Sequence, residues 1–522
     1  MAVKMRQVGL TQTRTNMSKS TQQLRNNQII ETITNFNDGM TSDLRSSFGF
    51  AQSKQFYHTR DKLQLREGVT RETGISLAAL EDFSNDIFAL GAISDAGDVY
   101  KKTSYQGGSF ASIGTINYES TSWLFGFKNY LFYYDGANLN YFGDVDSSPT
   151  QTIGYDTFTS GRGTRDYPKP FVHPTDGYAY FFDRNGVYQL TDAPSNAASA
   201  SDANWTEAAI TIPSYLSIQA ACAYGEYIAI FAFDNSKDTT TMFLWDRSMV
   251  LEDFTDIKEW GSGEVIYAGT LQGRLFAVGK SVIGTEAYHN TMDIAYYTGS
   301  AFVRINSSIL TQDNLLFGNG TIVGDPFIDG DKMYFTGIKL VQGSETAPGD
   351  AGYFGTENIF ALDAEGNITV PYHDSITEDR IKSFILQGEM IMYSTDSGFV
   401  YRTTSAEAEV DKFTNTGIYI TPVFDGNNGF ENKQISVVNA WHSPILTGGS
   451  VKIEAYSVEL AAWTTLNTNS TVGTTRTNFN RMVTSGNDLP ASQEFYYRIT
   501  ITKTKYVYGF RAESTIINDS IS

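Results

Sequence analysis

Gly177-Tyr-Ala-Tyr-Phe-Phe-Asp183, followed at once by Arg184-Asn-Gly-Val-Tyr188, is the stretch that decides the fold. It reads as a turn, a short apolar and aromatic strand, an acidic turn with glycine, and a second strand. Six related copies begin at Asn85 (Asn-Asp-Ile-Phe-Ala-Leu), Asn129 (Asn-Tyr-Leu-Phe-Tyr-Tyr-Asp), Gly225 (Gly-Glu-Tyr-Ile-Ala-Ile-Phe), Gly273 (Gly-Arg-Leu-Phe-Ala-Val), Gly330 (Gly-Asp-Lys-Met-Tyr-Phe) and Gly388 (Gly-Glu-Met-Ile-Met-Tyr). Neighbouring anchors lie 44, 48, 48, 48, 57 and 58 residues apart. A period in that range, filled with strands and turns, marks a blade repeat. A helical repeat would set apolar residues at i, i+3, i+4 and i+7, and these stretches do not.

A sheet of four short strands buries little alone and leaves two faces and two edges exposed. Packing several such sheets radially covers the faces and leaves only short edges. Each hairpin then needs a turn that tolerates positive φ, and the repeats supply Asp and Gly there: Asp95-Ala-Gly97, Asp135-Gly136, Asp183-Arg-Asn-Gly186, Asp363-Ala-Glu-Gly366 and Asp396-Ser-Gly398. The expected fold is all-β: a seven-bladed β-propeller over residues 76–414, with an N-terminal extended arm and a C-terminal β-sandwich of jelly-roll type.

The 522 residues exceed one ordinary globular domain, which a repeat fold permits because each blade adds its own core. Aromatics reach 14%, with 31 Tyr and 34 Phe, a composition that suits strands and argues against extended disorder. The net charge of -20 argues against a general affinity for nucleic acid or anionic membrane. The single cysteine, Cys222, excludes an intrachain disulfide and sits in an apolar strand pattern as filler. No apolar run reaches the length of a membrane span, and the N-terminus lacks the apolar core of a secretion signal, so synthesis in a cytoplasm is expected.

Residues 1–30 carry Lys4, Arg6, Arg14, Lys19 and Arg25 and no acidic residue, which makes a basic flexible arm at the head of an acidic chain, either a plain tail or, as the charge contrast favours, an arm that docks on an acidic neighbour. Residues 31–75 hold short strands that lead into the propeller and are placed to close it, with Leu63 and Leu65 alternating as an edge strand does. Exposed loops are expected at Asp192–Asp202 and at the insertion Gln342–Gly352. Residues 415–522 break the repeat. Alternating strands at Thr416–Pro422, Gln434–Val438, Val451–Tyr456 and Phe495–Thr502 predict the β-sandwich module.

Two stretches resemble bacteriophage virion proteins, the large all-β tail and neck proteins that include the propeller-bearing nozzle or hub proteins of short-tailed phages. One is Asn35-Phe-Asn-Asp-Gly with the aromatic and leucine-basic residues after it. The other runs through Thr421-Pro422, Lys433, Ser443-Pro-Ile-Leu446, Gly448-Gly-Ser-Val451 and Trp463, and is similar to the terminal module of such proteins. It departs from that pattern in having Glu459-Leu-Ala-Ala462 where an Asp-Gly turn is usual. The resemblance implies a structural virion protein of the tail or neck, a hub or nozzle that forms part of the DNA-ejection conduit. It also implies a homo-oligomeric ring, docking to portal, adaptor or other tail proteins, and non-specific passage of DNA.

No catalytic, cofactor or metal site is read from the sequence, and no enzyme activity is expected. His58, His173, His289, His373 and His442 are scattered without metal-ligand spacing. Asp144-Val-Asp146 and Asp329-Gly-Asp331 lack the distal Glu of a calcium loop and read as hairpin turns. Ser394-Thr-Asp-Ser-Gly398 resembles the aspartate box of sialidases, a blade-stabilising turn rather than a catalytic element. The alternative reading is a carbohydrate-binding or glycoside-cleaving propeller, a receptor-binding tail part or a lectin. It requires an exposed aromatic platform beside two carboxylates.

Overall fold

The computed structural model describes residues 19–23, 28–34, 52–54, 56–58, 61–72, 77–83, 86–91, 97–105, 108–116, 123–147, 149–159, 168–249, 254–282, 290–305, 315–316, 326–339, 357–373, 381–387, 390–395, 398–404, 412–414, 416–425, 430–481 and 491–517. Residues 1–18, His289 and the insertion Gln342–Gly352 lie outside them. The described chain is all-β and nearly free of helix, with a 3-10 turn at Ser199–Ser201.

Six antiparallel sheets follow one another along the chain. Sheet 1 takes the strands from Leu77 to Ile116, sheet 2 those from Leu124 to Thr157, sheet 3 those from Phe171 to Thr211 and sheet 4 those from Ser217 to Ser262. Each has four strands in simple meander order. Sheet 5 has nine strands between Glu264 and His373, with Leu315–Leu316 joining its two halves. Sheet 6 has three strands between Ile381 and Thr403, and its fourth is Val69–Glu72.

The repeat anchors all open the second strand of a meander: Asp86–Gly91, Tyr130–Tyr134, Ala179–Phe182, Tyr227–Asp234, Arg274–Val282, Lys332–Lys339 and Met390–Thr395. Gly177 and Gly225 stand at the turns into two of these with φ of +71° and +59°. No atom lies within 4 Å of where a Cβ would sit on either, so left-handed backbone rather than crowding requires glycine. Among the described residues, acidic turns between strands are capped by their own aspartates. Asp183 Oδ1 accepts from the Asn185 and Gly186 N–H groups at 3.1 and 2.6 Å. Asp135 and Asp363 repeat the motif. In the exposed loop 192–202, Asp202 plays the same part, accepting from Ser195, Asn204 and the Tyr155 hydroxyl of sheet 2.

Apolar clusters fill every gap between successive sheets, and the last closes the circle. Leu77, Leu80 and Ile87 of sheet 1 pack on Ile385, Met392 and Val400 of sheet 6. The closing strand is Val69–Glu72, with Val400 opposite Glu72 and Thr403 opposite Val69. Leu63–Leu65, the expected edge strand, is instead buried at all three positions and pairs with Phe56–His58 and with Tyr506 and Val507. Its full burial is what an inner strand needs, whereas Thr70 and Arg71 are exposed as on an edge.

The remaining strands form two sheets. One contains Lys19–Gln23, Gln28–Ile33, Tyr506–Ile516, Lys433–His442 and Arg476–Asn480 in spatial order, so part of the expected N-terminal arm is a hairpin on the C-terminal strand. The other contains Gln52–Lys54, Thr416–Ile420, Phe495–Thr502, Ser450–Ser457 and Ala462–Asn469. They share a core in which the Tyr497 and Phe510 rings stand 4.9 Å apart. The same apolar cluster continues to Phe335 and Phe360 of sheet 5.

At the closing strand the Glu72 carboxylate takes Lys102 Nζ of sheet 1 at 2.6 Å and Arg402 Nε of sheet 6 at 2.5 Å, and the Lys102 side chain is fully buried. Glu72→Ala leaves that ammonium without its counterion and is expected to cost about 3 kcal/mol in urea unfolding. Glu226→Ala, which removes an exposed partner of Arg247, is expected to cost under about 1 kcal/mol.

Candidate functional site

The first strand of each meander runs nearest the axis, and these strands enclose a cavity of about 620 Å³. Its wall takes Ala79–Asp82 from sheet 1, Trp123 and Leu124 from sheet 2, and Lys169–Val172 from sheet 3. Ala221–Ala223 come from sheet 4, Ala268, Thr270, Phe327 and Ile328 from sheet 5, and Ser383–Ile385 from sheet 6. Their inward edges carry backbone N–H and C=O groups with no further strand to pair, and polar side chains meet part of that need. Ser383 Oγ accepts from Leu80 N–H at 3.0 Å, Glu81 Oε1 accepts from Gly126 N–H at 3.1 Å, and Thr270 Oγ1 donates to the Ala223 carbonyl at 2.6 Å. Each of these bonds joins two neighbouring sheets.

One bond skips a sheet. Lys169 Nζ donates to Glu81 Oε2 at 2.5 Å, tying sheet 3 to sheet 1 along the cavity wall. Asp82 lines the same cavity, half-buried, and accepts from the Tyr105 hydroxyl at 3.3 Å. Burial raises the Asp82 carboxyl above its ordinary range, and the Tyr105 bond only partly offsets this. Cys222 also faces the cavity, and burial pushes its thiol up to about 12.

The histidines are structural where their side chains are described. His173 is buried; its Nδ1 accepts from Thr175 N–H, which leaves Nε2 to donate to the Tyr227 carbonyl at 3.1 Å. His442 is buried with Nδ1 donating to the Ser443 carbonyl at 2.8 Å and Nε2 accepting from the Thr477 hydroxyl at 3.0 Å. Both rings are therefore neutral, and burial lowers both pKa values. His58 and His373 lie on the strands Phe56–His58 and Ile368–His373. Among the described residues no three His, Cys, Asp or Glu side chains converge as a metal site would need. Asp144 is occupied by Asn129 and Ser147, and Asp329 faces Lys332 across a hairpin.

A separate aromatic cluster, Tyr456, Trp463 and Tyr496, packs together with Val423. Arg498 lies over Trp463 at 4.6 Å and is bound to Glu454, which also holds Lys452.

An all-β chain of successive antiparallel sheets around an axial cavity has the plan of a β-propeller. Virginiamycin B lyase from Staphylococcus aureus matches over 65% of this chain and 99% of its own, at 10% identity and a TM-score of 0.39. BamB from Moraxella catarrhalis matches over 68% and 95%, at 10% identity and 0.37. The β-propeller domain of the Trilobed protease from Pyrococcus furiosus matches over 61% and 91%, at 11% and 0.34. No family model matches the chain, and no curated protein matches it in sequence.

Two measurements check this site chemistry. With its thiol at about 12, Cys222 carries almost no thiolate at neutral pH; iodoacetamide should leave it unmodified in the native chain and modify it in urea. For His442, the unfolded chain binds a proton below about pH 6.5 that the folded ring refuses, so stability falls as pH drops through that value. His442→Gln removes that proton uptake, and its unfolding free energy should vary less between pH 7 and pH 5 by up to ~1.4 kcal/mol per pH unit.

Proposed function

We propose that this chain is a structural component of a bacteriophage particle, a tail hub or nozzle of the virion made in the host cytoplasm. In this reading it is a seven-bladed β-propeller, sheet 5 counting as two blades made continuous by Leu315–Leu316, followed by a β-sandwich over residues 415–522. The observation that supports the reading is that the two ends of the chain pair with each other: Gln28–Ile33 pairs with Tyr506–Ile516, and Gln52–Lys54 pairs with Thr416–Ile420. The phage-like stretch 35–39 lies between those two N-terminal strands in sequence and outside the described residues, and the other lies within the C-terminal residues.

The function is mechanical. Rings of the subunit continue the conduit from the portal, and rim loops such as residues 192–202 face adaptor or tail proteins. The axial cavity, with Lys169 bound to Glu81 in its wall, has no room for a duplex. The lumen for DNA therefore lies at the centre of the ring of subunits. A chain of net charge -20 repels the phosphate backbone and lets DNA slide. The basic residues Lys4, Arg6 and Arg14 serve as the clamp on an acidic neighbouring subunit.

The mass of the purified chain in solution tests this, measured by light scattering for the full length and for a form lacking residues 1–18, which spares the hairpin. A closed ring or a concentration-dependent oligomer that falls to monomer on truncation is expected. A full-length chain that stays monomeric at every concentration removes both the ring and the clamp.

A further inference from the structure

The axial cavity holds one acid that the stitching between sheets does not use. Glu81 is neutralised by Lys169 and is bonded to Gly126. Asp82, the next residue, has the Tyr105 hydroxyl and no cationic partner among the described residues. A hydroxyl offsets part of the cost of drawing a carboxylate out of water but brings no charge. The raised carboxyl of Asp82 has the same origin, since burial raises it and the Tyr105 bond offsets this only in part.

The surroundings select which cation could serve. Trp123, Pro170, Phe171, Phe327 and Ile328 supply apolar and aromatic wall. A hard metal ion is held chiefly by converging carboxylates, and among the described residues no three acidic, His or Cys side chains converge. An ammonium on an apolar body fits instead, its charge at the carboxylate and its body against rings that also attract cations. The volume of about 620 Å³ lies within the range of small-molecule pockets and admits such a ligand whole. We propose that the axial cavity is a binding site for an organic amine, with Asp82 as the counterion of its ammonium group and apolar wall from Trp123, Phe171 and Phe327 around its apolar part.

The site is independent of whether the chain forms a ring. Phenethylamine, hexylamine and spermidine, titrated into the full chain by calorimetry, probe it directly, with 2-phenylethanol as the neutral counterpart of the first and calcium chloride as the metal. At least one amine is expected to bind saturably at one site per chain, and 2-phenylethanol to bind about tenfold more weakly than phenethylamine or not at all. Asp82→Asn should bind that amine at least about tenfold more weakly. Because the substitution removes a buried charge, its melting temperature should not fall below that of the parent. Equal binding of amine and alcohol, undiminished binding by a folded Asp82→Asn, binding of calcium alone, or no saturable binding by any of the three amines would each overturn the proposal. Should Asp82→Asn fail to fold, the comparison of amine and alcohol on the parent chain still decides.

Discussion

Everything in the ring of sheets depends on the joint between sheet 6 and sheet 1. The other joints follow from chain order, since each sheet hands the chain to the next. This one must bring Ile381–Thr403 back to Leu77–Ile116 against the loss of entropy in closing a loop of about three hundred residues, a cost that grows only as the logarithm of loop length. The joint is held at three depths. Nearest the axis, Ser383 accepts from the backbone of Leu80. In the middle, Ile385, Met392 and Val400 pack on Leu77, Leu80 and Ile87. Toward the periphery Glu72, on a strand borrowed from ahead of the first sheet, holds Lys102 on one side and Arg402 on the other. The borrowed strand makes sheet 6 covalently continuous with sheet 1, so the two cannot part without tearing a ladder of backbone hydrogen bonds.

The axis poses the opposite problem. Apolar packing serves the faces of the sheets, but the innermost strand of each presents an edge, and edges are polar. Side chains that reach a neighbouring sheet's backbone solve two needs at once, satisfying a donor or acceptor and fixing the angle between sheets. Ser383, Glu81 and Thr270 all act this way. Polar residues here are therefore mostly structural, and a polar residue that stitches nothing, as Asp82 does, stands out against that background.

The architecture was legible in the sequence because a meander repeats its most constrained part. The second strand is flanked by sheet on both sides and follows a turn that demands positive φ, so its apolar run and its glycine recur together, as at Gly177 and Gly225. The closing strand was not legible. Val69–Glu72 is an edge strand of four residues with an unremarkable composition, whereas Leu63–Leu65 carries the alternation that an edge strand was expected to show. Alternation reports one buried face only where neighbours leave the other wet, and here strands on both sides bury Gln64 as well. The cavity was hidden for a different reason. Its residues come in twos and threes from strands tens of positions apart, and Glu81, Trp123, Lys169 and Ser383 share no local pattern. Their one common mark is position, a few residues ahead of each repeat anchor, and that mark acquires meaning only once the first strand is known to lie innermost.

The same distinction governs the acidic residues, whose total says little about where charge acts. At two turns, buried carboxylates that take several hydrogen bonds are held ionised. Asp234 is lowered by the Ser236 hydroxyl and by further bonds, and at Asp202 the bonds from Ser195, Asn204 and Tyr155 outweigh the effect of burial. Elsewhere burial wins: it raises Asp82 despite the Tyr105 bond and Asp363 despite the bonds of its own turn, while the exposed Glu365 is raised chiefly by the charge of Asp363 beside it. Near the axis an acid is costly to ionise, and a cation that supplies the missing counter-charge there recovers what burial has cost. One composition therefore gives a net negative chain that repels phosphate and an inner cavity suited to a single ammonium group, because hydrogen bonds outweigh desolvation at Asp202 and Asp234 and do not at Asp82.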